Sequence, residues 1–173
     1  MRVLAVSGSL QPSSKNRELL RLAAAAAPPG VEVRLFEGLG ALPHFDPSIE
    51  ATGEAPAAVH ALRQELAWAD AVLIATPEYG HSLPGVLKNA IDWVIGSGEL
   101  ERKVVAITAA VPAPERGRMG LQALAQTLGA VRAVIVGGEP LVVGPEFAAQ
   151  VEQLLERLIG EARRVEAERA IDR

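Results

Sequence analysis

Apolar positions along the chain fall into two alternating rhythms, one suited to buried strands and one to amphipathic helices. Residues 2–7 form a continuous apolar run, as expected of a strand covered on both faces. Residues 17–27 carry Leu19, Leu20, Leu22, Ala23 and Ala26 at helical spacing, and Pro28-Pro29-Gly30 stops the pattern. Over 31–36, Val31, Val33 and Leu35 alternate with Glu32 and Arg34, which predicts a strand near a sheet edge. A helix follows over 57–69, with Val59, Leu62, Leu66 and Ala69 on one face, then an apolar strand over 70–76. The next helix covers 84–95, with Pro84 in its first turn and Gly96 and Gly98 beyond its end. A strand over 103–109, a helix over 117–128 ended by Gly129, and a strand over 132–137 come next. A long helix over 145–168 closes the chain, with Phe147, Val151, Leu154, Leu155, Leu158, Ala162 and Val165 inward. Residues 38–56 are irregular and rich in Gly, Pro, Asp and Ser, which suits a pocket rim or a subunit contact.

Five strands alternating with five helices, without repeat or linker, predict a single α/β domain over 1–173. Its crossovers are right-handed and its sheet mostly parallel, with helices on both faces. Ligands of such sheets sit beyond the strand C-termini, where the strand order reverses. The loops expected around one crevice are therefore 7–16, 76–84 and 109–120.

Composition narrows the function classes. The 173 residues suffice for a sizeable core, and a formal charge of −4 gives no reason to expect nucleic acid or an acidic membrane as partner. The absence of cysteine excludes disulfides, thiolate metal sites and thiol nucleophiles. Met1-Arg2 precedes only a short apolar run, too short for a signal peptide, and no stretch approaches a membrane span, so a cytoplasmic protein is expected.

The first candidate site is Ser7-Gly8-Ser9-Leu10-Gln11-Pro12-Ser13-Ser14-Lys15-Asn16, a hydroxyl-rich turn between a strand and a helix start. Free N–H groups and the dipole of a helix N-terminus favour an anion there. Ser9, Ser13, Ser14 and Asn16 add side-chain donors, and Lys15 adds a positive charge. The spelling excludes both a Walker loop and a three-glycine dinucleotide loop. The same residues also read as an ordinary helix start capped by Ser13 or Ser14. The second candidate is Thr76-Pro77-Glu78-Tyr79-Gly80-His81-Ser82-Leu83-Pro84-Gly85. Its prolines and glycines fix the backbone path and aim amides in a way that suits a flat heteroaromatic ligand, or it is a plain strand-to-helix loop with Glu78 and His81 solvated. His44, His60 and His81 show no metal-ligand spacing, so no metal is expected. The G-x-S-x-G elbow of a serine hydrolase is missing, and Glu78 or His81 as a general base lacks a visible partner. Trp68 and Trp93 are assigned to core or subunit packing.

Gly8-Ser9-Leu10-Gln11-Pro12-Ser13-Ser14-Lys15-Asn16, together with Pro77-Glu78-Tyr79-Gly80-His81-Ser82-Leu83-Pro84-Gly85-Val86-Leu87-Lys88-Asn89-Ala90-Ile91-Asp92-Trp93, resembles the NADPH-dependent FMN reductase family. That family comprises flavodoxin-like quinone, azo-dye and chromate reductases. The resemblance implies a three-layer sandwich with a five-stranded parallel sheet in the order 2-1-3-4-5. It implies FMN as cofactor, with Ser9, Ser14 and Asn16 on its phosphate and Pro77, Glu78, Tyr79, Gly80 and His81 along its isoalloxazine ring. Gln11 stands where the family has arginine, which removes one charge-assisted contact and leaves Lys15 as the compensating charge. Gly80 replaces the usual asparagine and leaves only backbone donors. The third loop, Ala110-Val111-Pro112-Ala113-Pro114-Glu115-Arg116-Gly117, departs from the family's glycine-rich segment. Backbone amides, helped by Arg116 or Arg118, are expected to meet negative charge at the ring's N1 and O2.

The implied activity needs no catalytic residue from the protein, because the flavin carries the chemistry. Hydride passes by a ping-pong scheme from NADPH or NADH to the flavin, then to a quinone, an azo compound, free flavin or a similar small acceptor. The helix around 88–93 resembles one that packs in the family's dimer interface, so a homodimer or homotetramer is expected. Two rival readings are a non-enzymatic flavodoxin-like electron carrier or redox sensor binding FMN, and a non-flavin protein on the same fold.

Overall fold

The continuous apolar runs become the inner strands of one sheet. In the computed structural model, which describes residues 1–171, β1 (Arg2–Ser7), β3 (Ala71–Ala75) and β4 (Val104–Val111) are buried almost throughout. β2 (Glu32–Phe36) and β5 (Val134–Val142) take the two edges and stay half-buried. The order is β2-β1-β3-β4-β5, and every pairing is parallel.

Side chains on β1 separate by parity, as the period of two requires. The helices in chain order are α1 (Lys15–Ala25), α2 (Pro47–Ala51), α3 (Ala57–Trp68), α4 (Gly85–Ile95), α5 (Arg118–Ala130) and α6 (Phe147–Ile171), and Val3 and Ala5 face a core made with α1 and α6. Of these helices, α1 and α6 supply Leu19, Leu20, Phe147, Val151 and Leu158 to that layer. Leu4 and Val6 face the opposite layer, where α3, α4 and α5 supply Leu62, Leu66, Leu87, Ile91, Leu121 and Leu124. Helices therefore cover both faces, and the strand order reverses between β1 and β3, which puts the crevice at the C-terminal ends of those strands.

The structure departs from the sequence reading at places where backbone geometry outweighs hydrophobic period. α1 begins at Lys15 rather than residue 17, because Ser14 is extended and its Oγ accepts from the Asn16 N–H, drawing two polar residues into the first turn. Among the described residues six α-helices form instead of five: the irregular 38–56 stretch holds a 3-10 turn at Gly38–Ala41 and α2, whose N-cap Asp46 accepts from Ser48. Pro84 is the N-cap of α4, one step outside the helix. β4 and β5 run on past 109 and 137. Their register shifts between Ile107 and Ala109, opposite Gly137 and Gly138, which hold φ of 77° and 104°. A Cβ on Gly137 would come within 2.9 Å of the Ile107 carbonyl oxygen, so the bulge admits a glycine there that looked like a strand end. The residues 172–173 of the predicted domain lie outside the described residues.

Trp93 is wholly buried on α4, stacks edge-on with Phe45 at 5.1 Å, and donates from Nε1 to the Pro43 carbonyl at 2.9 Å. Asn89 reinforces this seam, accepting from the Phe45 N–H and donating to the same Pro43 carbonyl. The seam ties the 42–46 loop to α4. Trp68 is only half-buried and lies under the Arg34 guanidinium, 3.8 Å from the ring centroid. Trp93→Ala is expected to cost about 3–5 kcal/mol. A urea unfolding midpoint unchanged from wild type would show that the indole does not anchor this seam.

Candidate functional site

The opening turn is stitched shut by its own polar groups. Gly8 donates to the Ala75 carbonyl at 2.9 Å, and a Cβ at Gly8 would lie 2.3 Å from the Thr76 hydroxyl oxygen, so only glycine lets β1 and β3 close here. Ser9 is buried and its Oγ accepts from the Gln11 N–H at 3.2 Å, while the Ser14 Oγ accepts from the Asn16 N–H at 3.2 Å. A hydroxyl that accepts from an amide keeps its own proton to donate, which is what an anion needs. Asn16 is also buried, and its Oδ1 accepts from the Ala110 N–H at 2.9 Å, bonding the first loop to the end of β4. With Oδ1 oriented in this way, the carboxamide nitrogen is left as a donor. Gln11 and Lys15 are exposed, and the Lys15 ammonium pairs with Glu18 at 2.6 Å.

The second loop is a two-residue hairpin. Tyr79 and Ser82 exchange N–H···O bonds of 3.0 Å each, and Gly80 and His81 between them hold φ of 57° and 60°. Positive φ at both central residues is the type I′ condition, which glycine and asparagine satisfy best. The departure at position 80 is thus explained locally, because both residues suit the required conformation. Tyr79 is more than half exposed and Pro77 half-buried.

Glu78 turns its carboxylate away from solvent and onto the start of α5. Oε2 accepts from the Gly120 N–H at 2.9 Å, and Oε1 lies 3.4 Å from His81 Nδ1. The Gly120 amide, helped by that of Met119, holds the Glu78 carboxyl below the usual carboxylate range. A Cβ at Gly120 would stand 3.0 Å from the Glu78 Cβ, so the contact needs this glycine. The sequence reading missed the pairing; its only trace was Gly117-Arg118-Met119-Gly120 opening a helix. It also missed Thr76, buried against Gly8, and the structural bond made by Asn16.

Between the second and third loops lies a cleft of about 240 Å³, lined by Pro77, Glu78, Ala110, Pro112, Arg116 and Gly117. The three loops therefore meet at one end of the sheet: the first through Asn16, the second through Glu78, and the third between them. The spare donors of Ser9, Ser14 and Asn16 stand on the first loop, which Asn16 joins to Ala110 of the cleft wall. The arrangement suits a flat heteroaromatic ring with an anionic tail.

A family model described as NADPH-dependent FMN reductase matches residues 1–147. An NAD(P)H-dependent FMN reductase of Pseudomonas aeruginosa is 39% identical over 120 residues, 69% of this chain and 63% of that protein. A quinone reductase of Escherichia coli is 38% identical over 94 residues, 54% of this chain and 50% of that protein. The chain thus spans between half and two thirds of the length of these curated relatives. Among solved structures, FerB, a flavoenzyme NAD(P)H:(acceptor) oxidoreductase from Paracoccus denitrificans, superposes with a TM-score of 0.81 at 26% identity, over 94% of this chain and 97% of that one.

Because the folded state depresses the Glu78 pKa, its ionised form stabilises the fold above the ordinary carboxylate pKa, and that contribution is lost as pH falls through the folded value. Glu78→Gln is expected to lower the urea midpoint at pH 7, and the gap from wild type should narrow as pH falls below the ordinary carboxylate range and through the lower folded value. A gap that persists unchanged at low pH would mean that the carboxylate charge does not hold α5.

Proposed function

The chain belongs to the NADPH-dependent FMN reductase family, and from that premise we propose that it is an FMN-dependent NAD(P)H oxidoreductase acting on quinones and similar small acceptors. The observation that supports the reading is the joining of three loops distant in sequence, the first carrying spare donors and bonded through Asn16 to Ala110 of the cleft wall. The residues fit FMN on this chain's own geometry. Ser9, Ser14 and Asn16 each have a donor left over after their bonds within the chain, and they hold the phosphate with Gln11 and Lys15 beside them. Pro77, Glu78, Tyr79, Gly80 and His81 line the ring; Glu78 does so through its backbone, since its carboxylate serves α5.

FMN supplies the redox chemistry when bound, and the protein supplies position and electrostatics. The exposure of Tyr79 beside the cleft supports a ping-pong arrangement, in which nicotinamide and acceptor would take the same place in turn. Azo compounds and free flavin fall within the acceptor class by the same exposure. The proposal extends to one reductase domain over 1–173 that works in the cytoplasm as a homodimer or homotetramer. Among the described residues, no helix is long and apolar enough to cross a membrane.

The FMN-loaded protein is expected to oxidise NADPH or NADH steadily when a quinone is present. Tight flavin binding without turnover would favour the electron-carrier reading instead. Replacing Ser9 and Ser14 together with alanine, which leaves the Asn16–Ala110 bond in place, should weaken FMN by roughly 100-fold, the worth of two charge-assisted hydrogen bonds, while riboflavin affinity changes much less. Equal losses for the two ligands, measured by fluorescence quenching, would show that these residues do not grip the phosphate.

A further inference from the structure

Most cations at the ligand end of the sheet already have a partner. Lys15 pairs with Glu18 at 2.6 Å, Arg17 with Glu37 at 3.3 Å, and Lys88 with Asp92 at 2.5 Å. Arg118 folds back so that its Nε donates to the Pro114 carbonyl at 2.9 Å. Arg116 differs: it lines the cleft between the second and third loops, and among the described residues no carboxylate comes within 4.0 Å of its guanidinium. Its backbone is fixed, since the Arg116 N–H closes a turn onto the Ala113 carbonyl at 3.1 Å. The next residue, Gly117, bends at a φ of 80°, where a Cβ would press on Val111 and Ala109 at 3.0 and 3.1 Å. That bend seats the loop against the end of β4.

The other charge in the cleft wall is the Glu78 carboxylate. Its two oxygens are engaged by the Gly120 amide and His81. Arg116 is the cation lining the cleft, exposed and, among the described residues, without a carboxylate bound to it.

We propose that Arg116 is the residue that sets the redox poise of this site: its guanidinium meets the negative charge gained by the pyrimidine edge of the flavin on reduction, and so holds reduced FMN more tightly than oxidised FMN. The inference rests on the FMN reading above and selects Arg116 over Arg118, which the sequence left open. The ring presents one apolar and one polar edge, and the polar edge goes where the unpaired cation is. A partly exposed cation acting on a neighbouring anion is worth about tenfold in the ratio of the two affinities, or about 30 mV for a two-electron couple. The electrons come from the external reductant used in the measurement, and Arg116 exchanges neither electron nor proton.

The test is the two-electron midpoint potential of the FMN-loaded protein, titrated with dithionite against an indicator dye, alongside the dissociation constant of oxidised FMN. Arg116→Met should lower the potential by about 30 mV, with oxidised FMN bound within about threefold of wild type. Arg116→Lys should keep the wild-type potential. An Arg116→Met potential equal to wild type overturns the proposal and leaves the FMN reading standing, as does Arg116→Lys falling as far as Arg116→Met. A wild-type chain that takes up no FMN overturns both.

Discussion

One buried carboxamide fixes the geometry on which the rest of this structure depends. Asn16 stands in the first turn of α1, yet its Oδ1 accepts from Ala110 at the far end of β4, 94 residues along the chain. A buried amide N–H left unmatched costs far more than a surface bond is worth, so this contact locks the first loop against the third. Gly8 closes the same turn against β3 by leaving no atom where Thr76 packs. With both in place, the start of α1 is tied to β3 and β4, and the hydroxyls of Ser9 and Ser14 stand on that tied segment.

A second strut crosses the other side of the crevice. The Glu78 carboxylate answers the start of α5, which has no side-chain cap of its own because its N-cap is Gly117. The helix thereby receives its anion from a neighbouring loop rather than from its own sequence. Two hydrogen bonds, one accepted by a carboxamide and one by a carboxylate, thus join the three loops. Arg116 stands on the third loop, and its backbone is held at the slot wall by the turn closed onto Ala113.

The strands and most helices were legible because burial on two faces leaves apolar runs, and burial on one leaves a stripe. The edge position of β2 followed from Glu32 and Arg34 alternating with Val33 and Leu35. Hydrophobic period was blind where polar residues form the structure. Ser14, Lys15 and Asn16 begin α1 through a cap bond, and Asp46 starts α2 in a stretch that read as irregular. The extension of β5 was hidden by Gly137 and Gly138, which mark an end in most strands and a bulge in this one. Of the site, the first two loops stood out through composition, but their side-chain bonds did not. The pairings of Asn16 with Ala110 and Glu78 with Gly120 span 94 and 42 residues, and no local rule connects them.

The Gly80-His81 tip carries its own restriction. Two successive residues in the left-handed region leave few side chains able to occupy the turn without strain. Change at this rim is therefore channelled outward from the tip, to Leu10, Tyr79 and Met119, each at least half exposed and free of that backbone demand. The hairpin acts as a fixed jig, and the surface around it can be retooled for molecules of different shape without disturbing the grip on whatever lies beneath.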